Sequence, residues 1–102
     1  FFKELNIRYI EIKNNRTSVY AQYCIFVKNR KKMVSLMNDN NIPHAIYYPK
    51  PLNEQKAFSV YNNDKTPISS LIANEIISIP FSPYITRSEQ NKVLSLISDN
   101  FR

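Results

Sequence analysis

No glycine occurs anywhere in the 102 residues of this chain, where average usage would place about seven. Glycine-rich phosphate loops and dinucleotide-binding fingerprints depend on backbone that no Cβ crowds, so both are excluded here. A phosphate cup built by close backbone approach to an anion is disfavoured for the same reason. Whatever chemistry the chain takes part in must therefore use side chains on helices, strands and proline-stiffened loops.

The length fits one domain, and 43% hydrophobic residues supply enough apolar surface for a core. No apolar run approaches the ~20 residues needed to cross a bilayer, and no signal-peptide pattern opens the chain. A membrane partner is not expected, and a cytoplasmic location is. Cys24 is the sole cysteine and His44 the sole histidine, which excludes a disulfide framework, a cysteine-rich zinc site and most histidine metal sites. The formal charge of +6 favours acidic partners or reflects a biased genome rich in Asn, Ile and Lys. The first residue is Phe1 rather than Met, and the chain reads as if cut from something longer.

Periodicity predicts the elements. Ile7 to Lys13 is a possible strand of imperfect alternation, followed by the polar turn Asn14-Asn-Arg-Thr-Ser18. Val19 to Val27 alternates well, with apolar groups on both faces, as in a central strand covered on both sides. Asn29 is placed to cap a helix carrying Met33, Val34, Leu36 and Met37, which ends near Asn40-Asn41 because Pro43 disfavours helix at Ile42. Arg30, Lys31 and Lys32 oppose that helix's dipole at about 0.3 kcal/mol or more each. His44 to Tyr48 reads as a strand. Thr66-Pro67 starts a helix whose apolar stripe is Ile68, Leu71, Ile72 and Ile76, and Ile77 to Phe81 is a short extended segment. Thr86-Arg-Ser-Glu89 is a capping box opening a last helix, with Val93, Leu94 and Ile97 inward and its end near Phe101. The fold class expected is an α/β (α+β) two-layer sandwich, a small sheet with about three helices. Such a sheet cannot hide its second face by itself.

No catalytic residue is expected within these residues. Nothing resembles a nucleophile elbow or a close carboxylate pair. Cys24 reads as a small buried hydrophobe and His44 as a satisfied or solvated imidazole. The segment that stands out runs from Ile42 to Asn53: a strand delivers Tyr47 and Tyr48 to its end, on opposite faces, and the loop with Pro49 and Pro51 follows at once.

Read in order, Ser18-Val-Tyr-Ala-Gln-Tyr23, Val27-Lys-Asn-Arg30, Ala45-Ile-Tyr-Tyr-Pro-Lys-Pro-Leu52, Gln55-Lys-Ala-Phe58 and Ser78-Ile-Pro-Phe-Ser-Pro-Tyr84 make a pattern. It resembles the C-terminal small domain of the DegT/DnrJ/EryC1/StrS family of pyridoxal-phosphate-dependent sugar aminotransferases, from about Ser18 to Phe101. The resemblance implies residues 1–17 as an N-terminal connecting segment and 18–102 as the small domain of a fold-type-I enzyme, normally a homodimer. A large N-terminal domain, absent here, would carry pyridoxal phosphate, its lysine and the phosphate cup. The implied reaction moves an amino group, usually from glutamate, to a nucleotide-linked keto-sugar. This chain is then expected to bind no cofactor and to be inactive by itself.

By the same resemblance the substrate-binding candidates are Tyr47, Tyr48 and Lys50, with Gln22 and Asn53 behind them. Lys50 either meets a diphosphate or stays solvated. The family often has His at positions 53 and 82, where this chain has Asn53 and Ser82, and some members have His at position 47. The Tyr47 phenol keeps a group able to hydrogen-bond a sugar or phosphate oxygen. Two other readings stand beside this one: a basic nucleic-acid-binding α/β module, and an inactive structural or interaction relic of a broken gene. A base-stacking sheet needs glycine between its aromatics, so nucleic acid is the weaker alternative.

Overall fold

The computed structural model describes residues 1–61 and 65–101. Among them the chain forms β1 (Arg8–Tyr9), β2 (Tyr23–Phe26), α1 (Arg30–Asp39), the 3-10 segments Leu52–Glu54 and Lys56–Tyr61, α2 (Pro67–Glu75), β3 (Ile76–Ile79) and α3 (Arg87–Asn100). The sheet order is β1-β2-β3, antiparallel at both junctions. Tyr9 pairs with Ile25 and Ile25 with Ile77, so these three share one face; Cys24 and Ser78 pair on the other.

Onto the first face α1 packs Met33 and Met37, and α3 packs Val93 and Ile97. Ile25, Met33, Met37, Ile77 and Ile97 are fully buried. Burial of each contributes about 1.5–3 kcal/mol relative to exposure, and this set holds the two layers together. The result is the expected α+β sandwich of a small sheet and three α-helices. Phe2 and Ile7, ahead of β1, also enter the core.

Helix ends follow local chemistry. The Asn29 side chain accepts from the Lys32 amide at 3.1 Å, and no acidic residue occupies the first turn of α1. In α3 the Thr86 hydroxyl accepts from the Glu89 amide at 3.2 Å, while the Glu89 carboxylate accepts from the Thr86 amide at 2.8 Å, completing the predicted capping box. Helix α2 passes into β3 with no intervening residue, Ile76 already being extended at ψ 136°. The Arg30 guanidinium donates to the Ala73 and Ile76 carbonyls at that junction. The Val27 amide donates to the Glu75 carbonyl at 2.9 Å, and Arg8 pairs with the Glu75 carboxylate at 2.7 Å.

Several expectations are corrected. The strand read over Val19 to Val27 is confined to Tyr23–Phe26. Val19 is 97% exposed, and Tyr20 takes a left-handed φ of 47°, which ends the alternation. The possible strand over Ile7 to Lys13 reduces to Arg8–Tyr9. His44 to Tyr48 is not a strand: Ala45 alone bridges Ser78, between prolines that remove neighbouring donors. Thr66 precedes α2, yet its side chain makes no capping bond. The α2 stripe turns inward only in its second half: Ile68 and Leu71 are exposed, Ile72 is half-buried, and Ile76, buried, already lies in β3, which leaves Ala73 as the buried residue of the helix. No helix among the described residues is long and apolar enough to cross a membrane.

Candidate functional site

The segment after Ala45 is anchored at both ends. Ala45 exchanges both backbone hydrogen bonds with Ser78, at 3.2 and 2.8 Å. Eight residues on, the Asn53 side-chain oxygen accepts from the Thr66 hydroxyl at 3.2 Å, and the Ser70 hydroxyl donates to the Glu54 carboxylate. Between these anchors Tyr47, Tyr48 and Lys50 stand exposed, with Pro49 and Pro51 stiffening the backbone. The Tyr47 and Tyr48 rings meet edge to face, centroids 5.8 Å apart, so they share one side of the loop rather than lying on opposite faces of a strand. Two adjacent rings, two phenol hydroxyls and one ammonium on a stiff loop can stack on a planar or sugar ring and donate to anionic oxygens.

Gln22 lies elsewhere. It precedes Tyr23, which pairs with Ile79 at the end of β3, whereas the antiparallel bridge at Ser78 sends the chain after Ala45 toward the start of β3. Gln22 and the Tyr47–Asn53 loop therefore leave opposite ends of that strand. Gln22 is exposed beside a groove of about 260 Å³ shared with Ile10, Ile12 and Tyr20, its side-chain oxygen 3.9 Å from the Cys24 sulfur. Cys24 itself is a buried free thiol 3.3 Å from the Ser78 hydroxyl, as expected of a small core residue. His44 Nδ1 is 3.1 Å from the Ile42 carbonyl, which matches the satisfied imidazole expected. Ser82 accepts from the Tyr84 amide at 3.1 Å in a local turn.

Sequence reasoning missed an aromatic group at the Ile79 end of the sheet. Phe2 contacts Phe1, Tyr9 and Tyr23 with centroids 5.2–6.2 Å apart, and Tyr20 and Phe81 continue the chain of rings through Tyr23. All of these rings but Tyr20 border a groove of about 470 Å³. Burial, and then the neighbouring Tyr20 and Tyr9 phenols, push the Tyr23 phenol above its ordinary value. The group draws on residues up to eighty positions apart, so no local motif announces it; only the fold collects it. On the sheet, Tyr9 and Tyr23 face the helix layer and pack against the core.

Every described lysine is exposed, and none is enclosed in a cavity where a reactive amine would be shielded from water. Lys92 donates to the Asn40 carbonyl at 2.7 Å, and Lys32 to the Asn100 carbonyl at 3.4 Å. Among the described residues no cluster of His, Cys, Asp or Glu can hold a metal ion.

Known proteins are similar to this chain. A transaminase of Aneurinibacillus thermoaerophilus, dTDP-3-amino-3,6-dideoxy-alpha-D-galactopyranose transaminase, is 30% identical over 87 residues, covering 85% of this chain and 24% of that protein. The UDP-2-acetamido-2-deoxy-3-oxo-D-glucuronate aminotransferase of Pseudomonas aeruginosa is 34% identical over 83 residues, covering 81% of this chain and 23% of the relative. A solved aminotransferase structure from Brucella abortus superposes on 98% of this chain and 27% of its own, with a TM-score of 0.89 and 29% identity. This chain thus spans about a quarter of the length of these relatives. The family model itself matches residues 2–98, taking in both the β1 segment and the Tyr47–Asn53 loop, and on that match the chain belongs to the DegT/DnrJ/EryC1/StrS aminotransferase family.

Proposed function

We propose that this chain is the C-terminal small domain of an aminotransferase acting on a nucleotide-linked keto-sugar, where it supplies one wall of the substrate pocket. The observation that carries this reading is the family match over residues 2–98, coupled with coverage of about a quarter of each relative. Residues 1–17 are the connecting segment and 18–102 the small domain. The remaining three-quarters, a large N-terminal domain, is the natural cover for Leu52, Phe58, Val60, Tyr61, Ile68 and Leu71, all exposed on the limb formed by the two 3-10 segments and α2. The working enzyme is a cytoplasmic homodimer with glutamate as donor.

Pyridoxal phosphate, the family's cofactor, carries the amino group between donor and acceptor when bound. The residues of this chain do not fit the group: all described lysines are solvated, and no glycine lets backbone approach its phosphate. The reactive lysine and the anion cradle therefore belong to the large domain, and this chain does not hold the cofactor alone. What it contributes is shape and contacts: Tyr47 and Tyr48 donate hydroxyls to sugar or phosphate oxygens, and Lys50 pairs with the diphosphate. Asn53 acts behind them through Thr66, and Gln22 serves a separate edge of the pocket.

Replacing the C-terminal quarter of the Aneurinibacillus transaminase with this chain tests the reading. The hybrid is expected to transfer an amino group to a nucleotide-linked keto-sugar, while the isolated chain is expected to do nothing with donor, acceptor and added cofactor. Tyr47→Phe in the hybrid should raise KM about 3- to 10-fold, and Lys50→Ala about 10- to 100-fold, the range for neutral and charge-assisted hydrogen bonds. Turnover by the isolated chain, or an unchanged KM in both variants, would overturn it.

A further inference from the structure

Helix α2 is an odd member of this fold. Ala73 is its buried residue, Ile68 is 73% and Leu71 49% exposed, and yet polar side chains grip it at both ends. At its C-terminal end Arg30 reaches the Ala73 and Ile76 carbonyls, Val27 donates to Glu75, and Arg8 pairs with the Glu75 carboxylate. At its first turn the Thr66 hydroxyl donates to Asn53, and the Ser70 hydroxyl donates to Glu54 while also lying 3.0 Å from the Thr66 carbonyl. A helix placed for packing would turn Ile68 and Leu71 inward. Its packing is left to half-buried Ile72, buried Ala73 and buried Ile76 at the junction, and hydrogen bonds hold both ends.

Because α2 runs into β3 without a loop, residues 66–79 form one uninterrupted helix–strand unit. That unit holds both ends of the exposed loop: Ala45 on Ser78 of β3, and Asn53 and Glu54 on the first turn of α2. The seven residues between Ala45 and Asn53, Tyr47, Tyr48 and Lys50 among them, are tied to it at either end. We infer that α2 is a strut that sets the position of the Tyr47–Asn53 loop, with Thr66 and Ser70 as positioning residues for the substrate side of the pocket. The functional half of this inference rests on the substrate-side reading of that loop.

Amide exchange followed by NMR on the full chain tests the strut. The Glu54 and Gln55 amides, bonded to the Pro51 and Leu52 carbonyls, report on the loop end; the Ile25 and Ile77 amides report on the sheet. Ser70→Ala and Thr66→Val should each quicken exchange at Glu54 and Gln55 about 5- to 10-fold and weaken the ring contact between Tyr47 and Tyr48, with Ile25 and Ile77 unchanged. Ser70→Thr, which keeps the hydroxyl, should restore the wild-type pattern. The strut is overturned if Glu54 and Gln55 are indifferent to both variants, if Ile25 and Ile77 quicken equally, or if Ser70→Thr fails to restore. Tyr47→Phe in the hybrid enzyme reads the other half separately. An unchanged KM there and in Lys50→Ala, with the exchange pattern as expected, overturns the substrate-side reading and upholds the strut.

Discussion

Asn41 does work that glycine usually does. It sits just past the end of α1 at φ 53°, where its amide donates to the Asn38 carbonyl and the next amide, of Ile42, donates to Met37 at 2.8 Å. Ile42 and Met37 both lie in the core, so the reversal of the chain is joined to its packing. Asn6, at φ 54°, fills a second left-handed position. Asparagine tolerates this region better than other residues with a Cβ, and glycine tolerates it better still. Asn41→Ala is expected to lower stability by about 1 kcal/mol, or about 4–8 °C in Tm, while Asn41→Gly holds or raises it. Thermal melts of the two variants check this, and equal losses in both would show that the asparagine side chain, not its backbone, matters. Tyr20, at φ 47°, has no such tolerance; its ring stacks on Tyr23 at 6.0 Å and meets Phe81 at 5.8 Å, and those contacts hold it there. Nothing in the alternation of Val19 to Val27 betrays this reversal, since it is imposed by a ring sixty positions away.

Elements whose signals are local were legible, and those that depend on a distant partner were not. The capping box at Thr86 and Glu89 and the caps around α1 involve residues within four positions of each other, so their spacing alone places them. The strand expected at His44 to Tyr48 needed a neighbour that offers one residue, Ser78, and of the stripe expected of α2 only Ile72 and Ile76 find a surface, while Ile68 and Leu71 stay exposed. Of the candidate site, the Tyr47–Asn53 loop stood out because of its prolines and paired rings; the α2 contacts that hold it link positions 13 and 16 apart through side chains that no pattern pairs. The capping box also carries a pH signature. The Thr86 hydroxyl, and then its backbone amide, hold the Glu89 carboxyl below its ordinary value of 4.5. A carboxyl lowered on folding adds stability that is complete above the unfolded value and is lost as pH falls through the folded one. Denaturant melts of wild type and Glu89→Gln should therefore differ most above about pH 5, and the gap should close as pH drops below it. A gap that persists in acid would mean that the box does not depend on charge. Thr86→Ala, which removes the hydroxyl half, should cost about 1 kcal/mol at neutral pH.

At the scale of the whole molecule the chain is more open than its length requires. Its Cα radius of gyration is 15.4 Å and its extents are 48 × 37 × 25 Å, against about 13 Å for a compact domain of 100 residues. On the limb made by the two 3-10 segments and α2, Leu52, Val60, Tyr61 and Ile68 are 64–77% exposed and the Lys56–Tyr61 segment buries nothing. Six of the exposed large apolar side chains, Leu52, Phe58, Val60, Tyr61, Ile68 and Leu71, lie on that limb, and such a concentration marks a surface meant to be covered. The formal charge of +6 keeps copies apart at low ionic strength, and added salt screens that repulsion while leaving apolar attraction intact. The isolated chain is therefore expected to associate as concentration rises, and more readily at high salt than at low. Ile68→Lys with Tyr61→Lys should suppress association without lowering Tm, because neither side chain contributes to the core. Sedimentation velocity over a wide concentration range reads the outcome: a constant monomer mass at high salt would mean that the limb needs no cover, and association that survives the double lysine variant would move the sticky surface to another part of the molecule.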